Sequence, residues 1–349
     1  MSSYTSIVLA ERPTDKIIPG KTFTTKQDTV PLASSLKDGE AIFQTLYLSL
    51  DPAMRGWLND VRSYVPPVQI GETMRGVAIG IITASKSSKF AVGTYATAHC
   101  GWTEYAVLPE KSLQPLDLPE GAVVTDALGV LGMTGLTAYF GLLDVGKVKE
   151  GDFVVVSGAA GATGSVVGQI AKLKGAKVLG IAGGDDKVKW LKEELGFDAA
   201  LNYKSKDFEK DFREATKDLI DVYYDNVGGD ILDLALSRAK PHSRFVMCGA
   251  ISQYNNKRTE IKGPKNYVMI ISMRIHMEGF IVFDYVNQFP EARKELAQWL
   301  AEGKLQRKEH IVKGGLANAE QALVDLFNGA NTGKLLVEVA KPDDVKGKL

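Results

Sequence analysis

The segment FVVVSGAAGATGSVVGQIAKL, residues 153–173, predicts the fold of the middle of this chain. A short β-branched run at 153–157 leads into three glycines, and the apolar residues that follow have helical spacing. Glycines let a backbone approach a pyrophosphate closely, and the N-terminus of the following helix attracts negative charge. Strand, glycine turn and helix in this order therefore indicate a dinucleotide-binding corner. The residues that we expect to form this corner are Gly158, Gly161, Ala162, Thr163 and Gly164.

Short Val- and Ile-rich runs alternate with helical stretches throughout the middle of the chain. The predicted strands lie at 153–157, 177–182, 199–202, 222–225, 244–248 and 278–283. Strands that alternate with helices at this spacing form parallel β-α-β units, so we expect an α/β domain with a doubly wound parallel sheet over residues 126–304. In the helix that follows the glycines, the missing side chain of Gly168 would let the helix pack close to the strand at 153–157.

The two ends of the chain have a different character. Up to about residue 125, β-type runs broken by Gly, Pro and Asp turns predict an irregular, mainly β unit. After a predicted helix at 290–302 the chain returns to mixed character and ends in a strand at 334–339. We expect this C-terminal segment to rejoin the N-terminal unit, so that residues 1–125 and 305–349 form one domain with a frayed tail at 341–349.

Length and composition exclude several classes of protein. A chain of 349 residues is too long for one ordinary hydrophobic core, which predicts two domains with a cleft between them. Its 42 basic and 42 acidic residues cancel, so no net field attracts nucleic acid or an anionic membrane. The first residues lack a targeting pattern and no window reaches ~18 uninterrupted apolar residues. We therefore expect a soluble, cytoplasmic protein.

The cysteines and histidines argue against a metal site. Cys100 and Cys248 are far apart and form no C-x-x-C pair, and among four scattered histidines only His99 adjoins a cysteine. Catalytic zinc requires about three protein ligands and structural zinc about four. We therefore expect no metal, and we interpret Cys100 as a buried thiol beside a loop imidazole.

The end of the second predicted strand indicates which dinucleotide binds. Gly183 and Gly184 leave space there, and Lys187 supplies a cation, as a 2′-phosphate requires. Asp185 or Asp186 could instead accept hydrogen bonds from a ribose 2′-hydroxyl, which would select NAD, or could cap the helix that follows. We favour capping, and therefore NADPH.

The same residues restrict the chemistry. Reducing a ketone with a nicotinamide cofactor commonly requires zinc or a Tyr-x-x-x-Lys pair, and the run that begins at Tyr203 lacks that spacing. Reduction of an activated C=C bond demands less, because one hydroxyl that donates to the carbonyl oxygen lowers the barrier by about 3–4 kcal/mol. The sequence thus favours metal-free reduction of an activated double bond.

Several motifs together carry a family resemblance along nearly the whole chain. They are LSLDPAMRG at 48–56, GMTGLTAY at 132–139, the glycine segment, GFDAALNY at 196–203, YDNVGG at 224–229 and GAISQYN at 249–255. In these motifs the chain resembles the zinc-independent medium-chain dehydrogenase/reductases of the prostaglandin reductase and alkenal/enone double-bond reductase group. The resemblance implies a GroES-like domain completed by the C-terminal segment, a Rossmann domain, NADPH, a small enal or enone substrate, and a homodimer.

The resemblance also implies site residues. Lys187 and Tyr203 would lie near the adenosine 2′-phosphate. The other residues implied near the cofactor are Thr134, Gly183, Asn226, Cys248, Ala250, Ser252, Tyr254 and Asn331. Tyr254 would stand in the pocket as enolate donor or proton relay, although it could instead hydrogen-bond only the loop backbone.

The substrate pocket departs from the family pattern at one position. Many relatives carry Tyr after Asp-Pro, where this chain has Ala53, so Tyr64 in the Pro-rich loop becomes the substitute hydroxyl, or merely packs. Met54, Arg55 and Trp102 would line the substrate site, with Asp51 and Arg55 forming a structural ion pair.

The resulting hypothesis is NADPH-dependent reduction of the C=C bond of α,β-unsaturated aldehydes or ketones, with Tyr254 and Tyr64 as catalytic candidates. Two alternatives share the cofactor site. Quinone reduction would use the same fold with a different pocket, and a sensor would bind NADPH without turning over any acceptor.

Overall fold

A computed structural model describes residues 2–257 and 259–346 of the chain. The chain forms two compact units. The first, called the β unit here, comprises Met1–Pro119, Val123–Leu128 and Glu309–Leu349, and the second, called the α/β unit, comprises Glu120–Ala122 and Gly129–Lys308.

The described elements, in chain order, are fifteen strands and ten α-helices. The strands are β1 (Ser3–Leu9), β2 (Phe23–Thr29), β3 (Glu40–Ser49), β4 (Ala78–Ser85), β5 (Tyr95–Ala98), β6 (Tyr105–Pro109), β7 (Leu113–Pro115), β8 (Phe153–Ser157), β9 (Lys177–Ala182), β10 (Ala199–Asn202), β11 (Ile220–Asp225), β12 (Ala239–Met247), β13 (His276–Gly279), β14 (Glu309–Val312) and β15 (Lys334–Glu338). The helices are α1 (Ala53–Gly56), α2 (Met133–Phe140), α3 (Ala162–Leu173), α4 (Asp185–Glu193), α5 (Phe208–Ala215), α6 (Gly229–Leu236), α7 (Val268–Ser272), α8 (Phe289–Ala301), α9 (Ala319–Phe327) and α10 (Pro342–Lys346).

The α/β unit contains one parallel sheet of six strands in the order β10-β9-β8-β11-β12-β13. The chain passes outward from β8 to β10 on one side and from β11 to β13 on the other, so the direction of winding reverses between β8 and β11. Such a reversal opens a ligand crevice at the carboxyl ends of the two strands. The predicted doubly wound α/β fold is confirmed.

The central strand β8 explains why the glycine segment is buried. Val154, Val155 and Val156 are all fully buried. Successive side chains of a strand point to opposite faces, so Val154 and Val156 join one apolar cluster with Ile170, whereas Val155 joins the cluster that contains Ile231. A strand covered on both faces is apolar along its whole length, which is why its sequence predicted it clearly.

The helix after the glycine corner packs on the sheet with the help of a third residue, Phe197. A Cβ added at Gly168 would lie 1.9 Å from Cζ of Phe197, and one added at Gly180 on β9 would lie 2.9 Å from Cδ2 of the same ring. The space that the two glycines leave is therefore filled by the Phe197 ring. The missing side chain of Gly168 therefore admits that ring between α3 and β9.

The β unit contains a sheet in the order β14-β15-β3-β4-β5-β7, with β6 also paired to β3, and a separate β1-β2 hairpin. Strand β15 pairs antiparallel with β3, with Leu336 opposite Ser49, and parallel with β14. Two strands from the C-terminal segment therefore extend the N-terminal sheet. The predicted completion of the mainly β domain by the end of the chain is confirmed.

Two local expectations are wrong. The last predicted strand of the α/β unit, at 278–283, lies instead at His276–Gly279, and the chain then forms a 3₁₀ helix at Val282–Gln288. The tail is not frayed over Pro342–Lys346, which is helical and buries Val345 against Leu46 and Ile81. Residues 347–349 of the predicted tail lie outside the described residues. Within the described part of the chain, no helix is both long enough and apolar enough to cross a membrane.

Candidate functional site

The glycine corner has the geometry that a phosphate cradle requires. Gly158 has φ +59°, in the left-handed region that favours glycine, and Gly161 is the N-cap of α3. A Cβ at Gly164 would lie 2.4 Å from the carbonyl oxygen of Gly158, so no side chain fits there. Ala162 and Thr163 form the first turn of α3, where no side chain of the described residues caps the helix. Its first N–H groups therefore remain as donors for an anion, as expected.

The carboxyl ends of β8 and β11 are tied together beside this corner. The side-chain amide of Asn226 donates to the carbonyl oxygen of Ser157 at 2.7 Å, and its backbone N–H donates to Ser157 Oγ at 2.9 Å. Asp225, which is buried, accepts hydrogen bonds from Ser157 Oγ at 2.8 Å and from Gly228 N at 3.0 Å. A Cβ at Gly158 would lie 3.3 Å from Asn226 Cβ. Asn226 thus lies at the winding reversal and helps to hold the corner in shape.

The loop after β12 folds over the same turn. Ser252 Oγ donates to the carbonyl oxygen of Val227 at 2.6 Å, and a Cβ at Gly228 would lie 3.0 Å from Ala250 Cβ. The backbone N–H of Ala250 donates to the Tyr254 hydroxyl at 3.0 Å. The structure therefore brings Asn226, Ala250, Ser252 and Tyr254 together, and it shows the backbone contact that was the alternative role for Tyr254.

Cys248 and Thr134, both predicted near the cofactor, also contact the surrounding backbone. The Cys248 N–H donates to the carbonyl oxygen of Asp225 at 2.9 Å, and burial raises the pKa of its thiol to about 12. Thr134 lies in the first turn of α2, where its hydroxyl donates to the carbonyl oxygen of Gly129 at 3.0 Å. Neither group is ionised at neutral pH, so both act as neutral neighbours of the crevice.

Tyr203, Lys187 and Lys204 lie beyond the ends of β9 and β10, with the carboxylates of Asp185 and Asp186 beside them. The Tyr203 ring packs on Gly183, since a Cβ at Gly183 would lie 2.7 Å from Cε1 of the ring. Lys204 Nζ lies 6.0 Å from the centre of that ring. Burial and the nearby charge of Lys204 lower the pKa of Lys187. Burial disfavours the charge on Lys187, so an anion bound beside it would stabilise that charge, and Lys187 with Lys204 nearby is a candidate contact for a 2′-phosphate.

Lys204 was not among the site residues predicted from the sequence. It follows Tyr203 directly in the motif at the end of the third strand of the α/β unit, and that adjacency was the available signal.

The acidic residues at the start of α4 do not cap it. Gly184, with φ +147°, is the N-cap, and α4 begins at Asp185 without a side-chain cap hydrogen bond. Asp185 Oδ1 accepts a hydrogen bond from Asn202 Nδ2 at 2.8 Å. The predicted capping by Asp185 or Asp186 is therefore wrong. Both carboxylates lie in the first turn of α4, where their negative charge interacts favourably with the positive end of the helix dipole. Asp185 also joins α4 to the end of β10.

In the β unit, two residues predicted to line a substrate site belong to the core. Met54 is 1% exposed and Trp102 is fully buried. Trp102 packs against Phe23 with 5.2 Å between ring centres, in space left free by Gly76. A substrate could not touch either side chain without opening the core. Met54 and Trp102 therefore belong to the core and do not line a substrate site, contrary to the prediction.

The predicted ion pair between Asp51 and Arg55 is also absent. Arg55 is 1% exposed and donates to the carbonyl oxygen of Asp15 at 2.6 and 2.9 Å and to Asn59 Oδ1 at 2.7 Å. Asp51 Oδ1 instead lies 2.5 Å from Lys334 Nζ. Arg55 therefore fixes a loop to α1 and does not line a substrate site as expected.

Asn331, predicted near the cofactor, is a buried residue of the β unit. Its side-chain amide donates to the carbonyl oxygen of Gly333 at 2.7 Å and so shapes the turn before β15.

Tyr64 lies in a polar and aromatic cluster of the β unit that the sequence did not reveal. Its hydroxyl accepts a hydrogen bond from Trp57 Nε1 at 2.8 Å, and the guanidinium carbon of Arg75 lies 5.5 Å from the centre of the Trp57 ring. Partial burial and then the charge of Asp51 raise the pKa of Tyr64. Partial burial and the charge of Arg75 lower the pKa of His99. Tyr64 thus stays protonated and His99 neutral at pH 7.

Comparisons with known proteins match both units. A family model described as the N-terminal domain of oxidoreductase matches residues 5–116, and one described as zinc-binding dehydrogenase matches residues 162–300. Prostaglandin reductase 1 of Bos taurus is 42% identical over 307 residues, covering 87% of this chain and 90% of the relative. An NADP(+)-dependent 2-alkenal reductase of Nicotiana tabacum is 38% identical over 325 residues, covering 90% and 92%. The crystal structure of CurA from Vibrio vulnificus in complex with NADPH has a TM-score of 0.90 and 40% identity, and the match covers 97% of this chain and all of that chain.

The zinc named in the second family description has no matching donor set here. Within residues 2–257 and 259–346, no group of three or more His, Cys, Asp or Glu side chains is placed to hold a metal ion. Cys100 lies beside Thr45 and the carbonyl oxygen of Gly101, and burial raises the pKa of its thiol to about 11. Cysteine binds zinc as a thiolate, the form that burial disfavours at this position.

Proposed function

Because this chain belongs to the zinc-independent medium-chain dehydrogenase/reductase family, in the group of the prostaglandin and alkenal reductases, we propose that it reduces the C=C bond of α,β-unsaturated aldehydes and ketones with NADPH. At the level of reaction class, the chain is an NADP-dependent oxidoreductase. The substrate class is the part that experiment must test.

The observation that carries the cofactor assignment is the lysine pair beside Tyr203. Lys187 lies near the start of α4 and Lys204 lies just after the end of β10, and burial together with the charge of Lys204 disfavours the charge on Lys187. Gly164 leaves the space, and the start of α3 the N–H donors, for a pyrophosphate. These residues would hold NADPH, with the 2′-phosphate at Lys187. Bound NADPH would supply the hydride that adds to the β-carbon of the substrate.

The chain's own contribution to the reaction is a hydroxyl donor for the carbonyl oxygen, on which negative charge develops. We assign this role to Tyr254. Its oxygen accepts the N–H of Ala250, which fixes the phenol in position and makes its proton a stronger donor.

Tyr64 is the second proposed donor. Its oxygen accepts the Trp57 indole N–H, and within the described residues its own proton is donated to no acceptor. Its raised pKa keeps that proton in place at neutral pH.

The experiment that tests the function follows NADPH oxidation with a panel of enals, enones, their saturated counterparts and quinones. We expect turnover of an enone but not of the corresponding saturated ketone, and a product that mass spectrometry identifies as the saturated ketone. Turnover of quinones alone would show a quinone reductase instead. NADPH binding without turnover of any acceptor would show a sensor.

We further propose that the protein forms a homodimer through β13. This strand ends the order of the six-stranded sheet, and within the described residues its outer edge pairs with no other strand. Apolar side chains near it are exposed, namely Tyr267, Val268, Ile271, Phe283 and Val286. An exposed edge flanked by apolar side chains is a template for pairing with another chain, and a second copy of β13 fits it by symmetry.

A further inference from the structure

The carboxylate of Asp185 lies where a dinucleotide site that selects NAD carries its acidic residue. Asp185 comes about twenty positions after Gly164, the last glycine of the corner, and it follows the end of β9. A carboxylate at such a position accepts a hydrogen bond from the ribose 2′-hydroxyl of NADH and repels the 2′-phosphate of NADPH. A site for NADPH therefore requires that this carboxylate be held away from the ribose.

An asparagine on the neighbouring strand holds this carboxylate. Asn202 is the last residue of β10, which pairs in parallel with β9 and has Asn202 opposite Ala182. Its side-chain Nδ2 donates to Asp185 Oδ1 at 2.8 Å. Asp185 is exposed, whereas Asn202 is half-buried in the sheet. The strand residue is thus the more fixed partner, and the position of the Asp185 carboxylate follows from it.

The orientation of the Asn202 amide is set by its second hydrogen bond. Asn202 Oδ1 accepts the backbone N–H of Lys204 at 3.0 Å, and Tyr203 N donates to the carbonyl oxygen of Ala182 at 3.0 Å. Because an N–H donor faces one end of the amide, the oxygen lies at that end and the NH₂ group faces Asp185. One side chain therefore shapes the segment that carries Lys204 and holds Asp185 at the same time.

The adjacent carboxylate, Asp186, acts on a different neighbour. Burial lowers the pKa of Lys187, and the charge of Asp186 opposes that shift. Asp186 thus helps to keep Lys187 protonated, the state in which a lysine binds a phosphate. Asp185, whose carboxylate contacts an uncharged amide, is the acidic residue whose position distinguishes an NADPH site from an NADH site.

We propose that Asn202 is a specificity-determining positioning residue, which holds the Asp185 carboxylate away from the ribose and so keeps the site selective for NADPH over NADH. Without the amide, the exposed Asp185 side chain is free to adopt its other rotamers and to present its carboxylate to the cofactor. This inference rests on the proposed NADPH site, and it adds the residue that suppresses an NAD-type carboxylate within that site. All of its residues belong to the α/β unit.

The test measures the Kd of NADPH and of NADH by fluorescence titration for the wild-type protein and for Asn202→Ser. A serine hydroxyl can still accept the Lys204 N–H, but it is too short to reach Asp185. We expect changes of opposite sign. NADPH should bind about fivefold more weakly, because the freed carboxylate repels the 2′-phosphate, and NADH should bind more tightly through its ribose hydroxyl. Asn202→Ala, as a second variant, should behave in the same way.

Removal of the carboxylate should cancel this effect. In the Asp185→Ala background, Asn202→Ser should leave the ratio of the two Kd values unchanged, because no carboxylate remains to be freed. Asn266→Ala is the matched control. It breaks another contact between an asparagine and an aspartate of the α/β unit, in which Asn266 Nδ2 donates to the carbonyl oxygen of Asp233 at 3.0 Å, and it should also leave the ratio unchanged.

The other outcomes separate this inference from the proposals on which it rests. An unchanged ratio in both Asn202 variants would overturn it, and so would equal losses for the two cofactors, which indicate only a loosened loop. A ratio that falls equally in the Asp185→Ala background would also overturn it, since the effect would then bypass Asp185. A wild-type protein that binds NADH as tightly as NADPH would contradict the NADPH site and this inference together. Because these are binding measurements, a protein that reduces no enone would contradict the proposed reaction alone.

Discussion

Lys187, near the start of α4, is the residue that we propose selects the dinucleotide. We predict that Lys187→Ala weakens NADPH binding by about tenfold or more and leaves NADH binding unchanged, because only NADPH carries the 2′-phosphate. Fluorescence titration of both cofactors measures this. Lys189→Ala is the matched control, since Lys189 lies on the same helix but is exposed and faces Glu193 at 3.7 Å. Equal losses for NADPH and NADH in Lys187→Ala would contradict the assignment.

The lowered pKa of Lys187 gives the selectivity a dependence on pH. A lysine binds a phosphate while it is protonated, and burial together with Lys204 brings the loss of that proton to lower pH than in a free lysine. We therefore predict that the preference for NADPH over NADH declines as the pH rises through the alkaline range in which Lys187 loses its proton, and that Lys187→Ala abolishes this decline. Titrations of both cofactors over a pH series check it. A preference that is independent of pH would show that Lys187 does not contact the phosphate.

Tyr254 combines a structural contact with the proposed chemical role. Tyr254→Phe removes the acceptor of the Ala250 N–H and the donor for the substrate oxygen. We predict that kcat falls by about a hundredfold, the effect of losing one such donor, while the Kd of NADPH changes little. Steady-state kinetics and a cofactor titration measure the two quantities. If the variant melts earlier but keeps its kcat, Tyr254 only supports the loop.

In α3, the missing side chain of Gly168 leaves the space that the Phe197 ring occupies. A Cβ at Gly168 would lie 1.9 Å from Phe197 Cζ, so Gly168→Ala must displace a buried ring. We predict a loss of about 1–3 kcal/mol in the free energy of unfolding, as in other overpacked cores. Denaturant unfolding measures it, and Phe197→Leu should cost less in the Gly168→Ala background than alone. Gly56→Ala is the control, because a Cβ there meets no atom within 4 Å.

If Phe197→Leu costs the same in both backgrounds, the two residues do not interact and the packing described for α3 is wrong. The prediction is a double-mutant cycle, so it does not depend on the helix propensity that Ala gains over Gly.

Assembly of two copies through β13 is a prediction for the complete protein. We predict a dimer in sedimentation or light-scattering measurements of mass, and a monomer for the double variant Ile271→Asp, Val286→Asp, because two buried carboxylates per copy would oppose association. Val92→Asp is the matched control, since Val92 is also exposed but lies in the β unit. A wild-type monomer, or a double variant that remains dimeric, would contradict the proposed interface.

Local pattern was sufficient to predict most of the elements. The bounds of β8, β9 and β10 coincide with the predicted strands, and for β8 and β9 the reason is that a buried parallel strand is a continuous apolar run that any short window detects. The glycine corner could be predicted for the same reason, since strand, turn and helix follow each other directly along the chain. The position of β13 could not be predicted, because its apolar neighbours at 280–283 belong to an irregular connection and the start of a 3₁₀ helix.

Which side chains meet depended on contacts that the linear pattern does not contain. Asp51 pairs with Lys334, 283 positions away, instead of with Arg55 four positions away, because β15 returns beside β3. Met54 and Trp102 entered the core for a similar reason, and Arg75 met Trp57 and Tyr64 only through folding of the β unit. The amino-acid order was enough for the doubly wound fold and the phosphate corner, which arise from neighbouring residues. The partners of the charged and aromatic side chains required the folded chain, because packing joins residues that are distant in sequence.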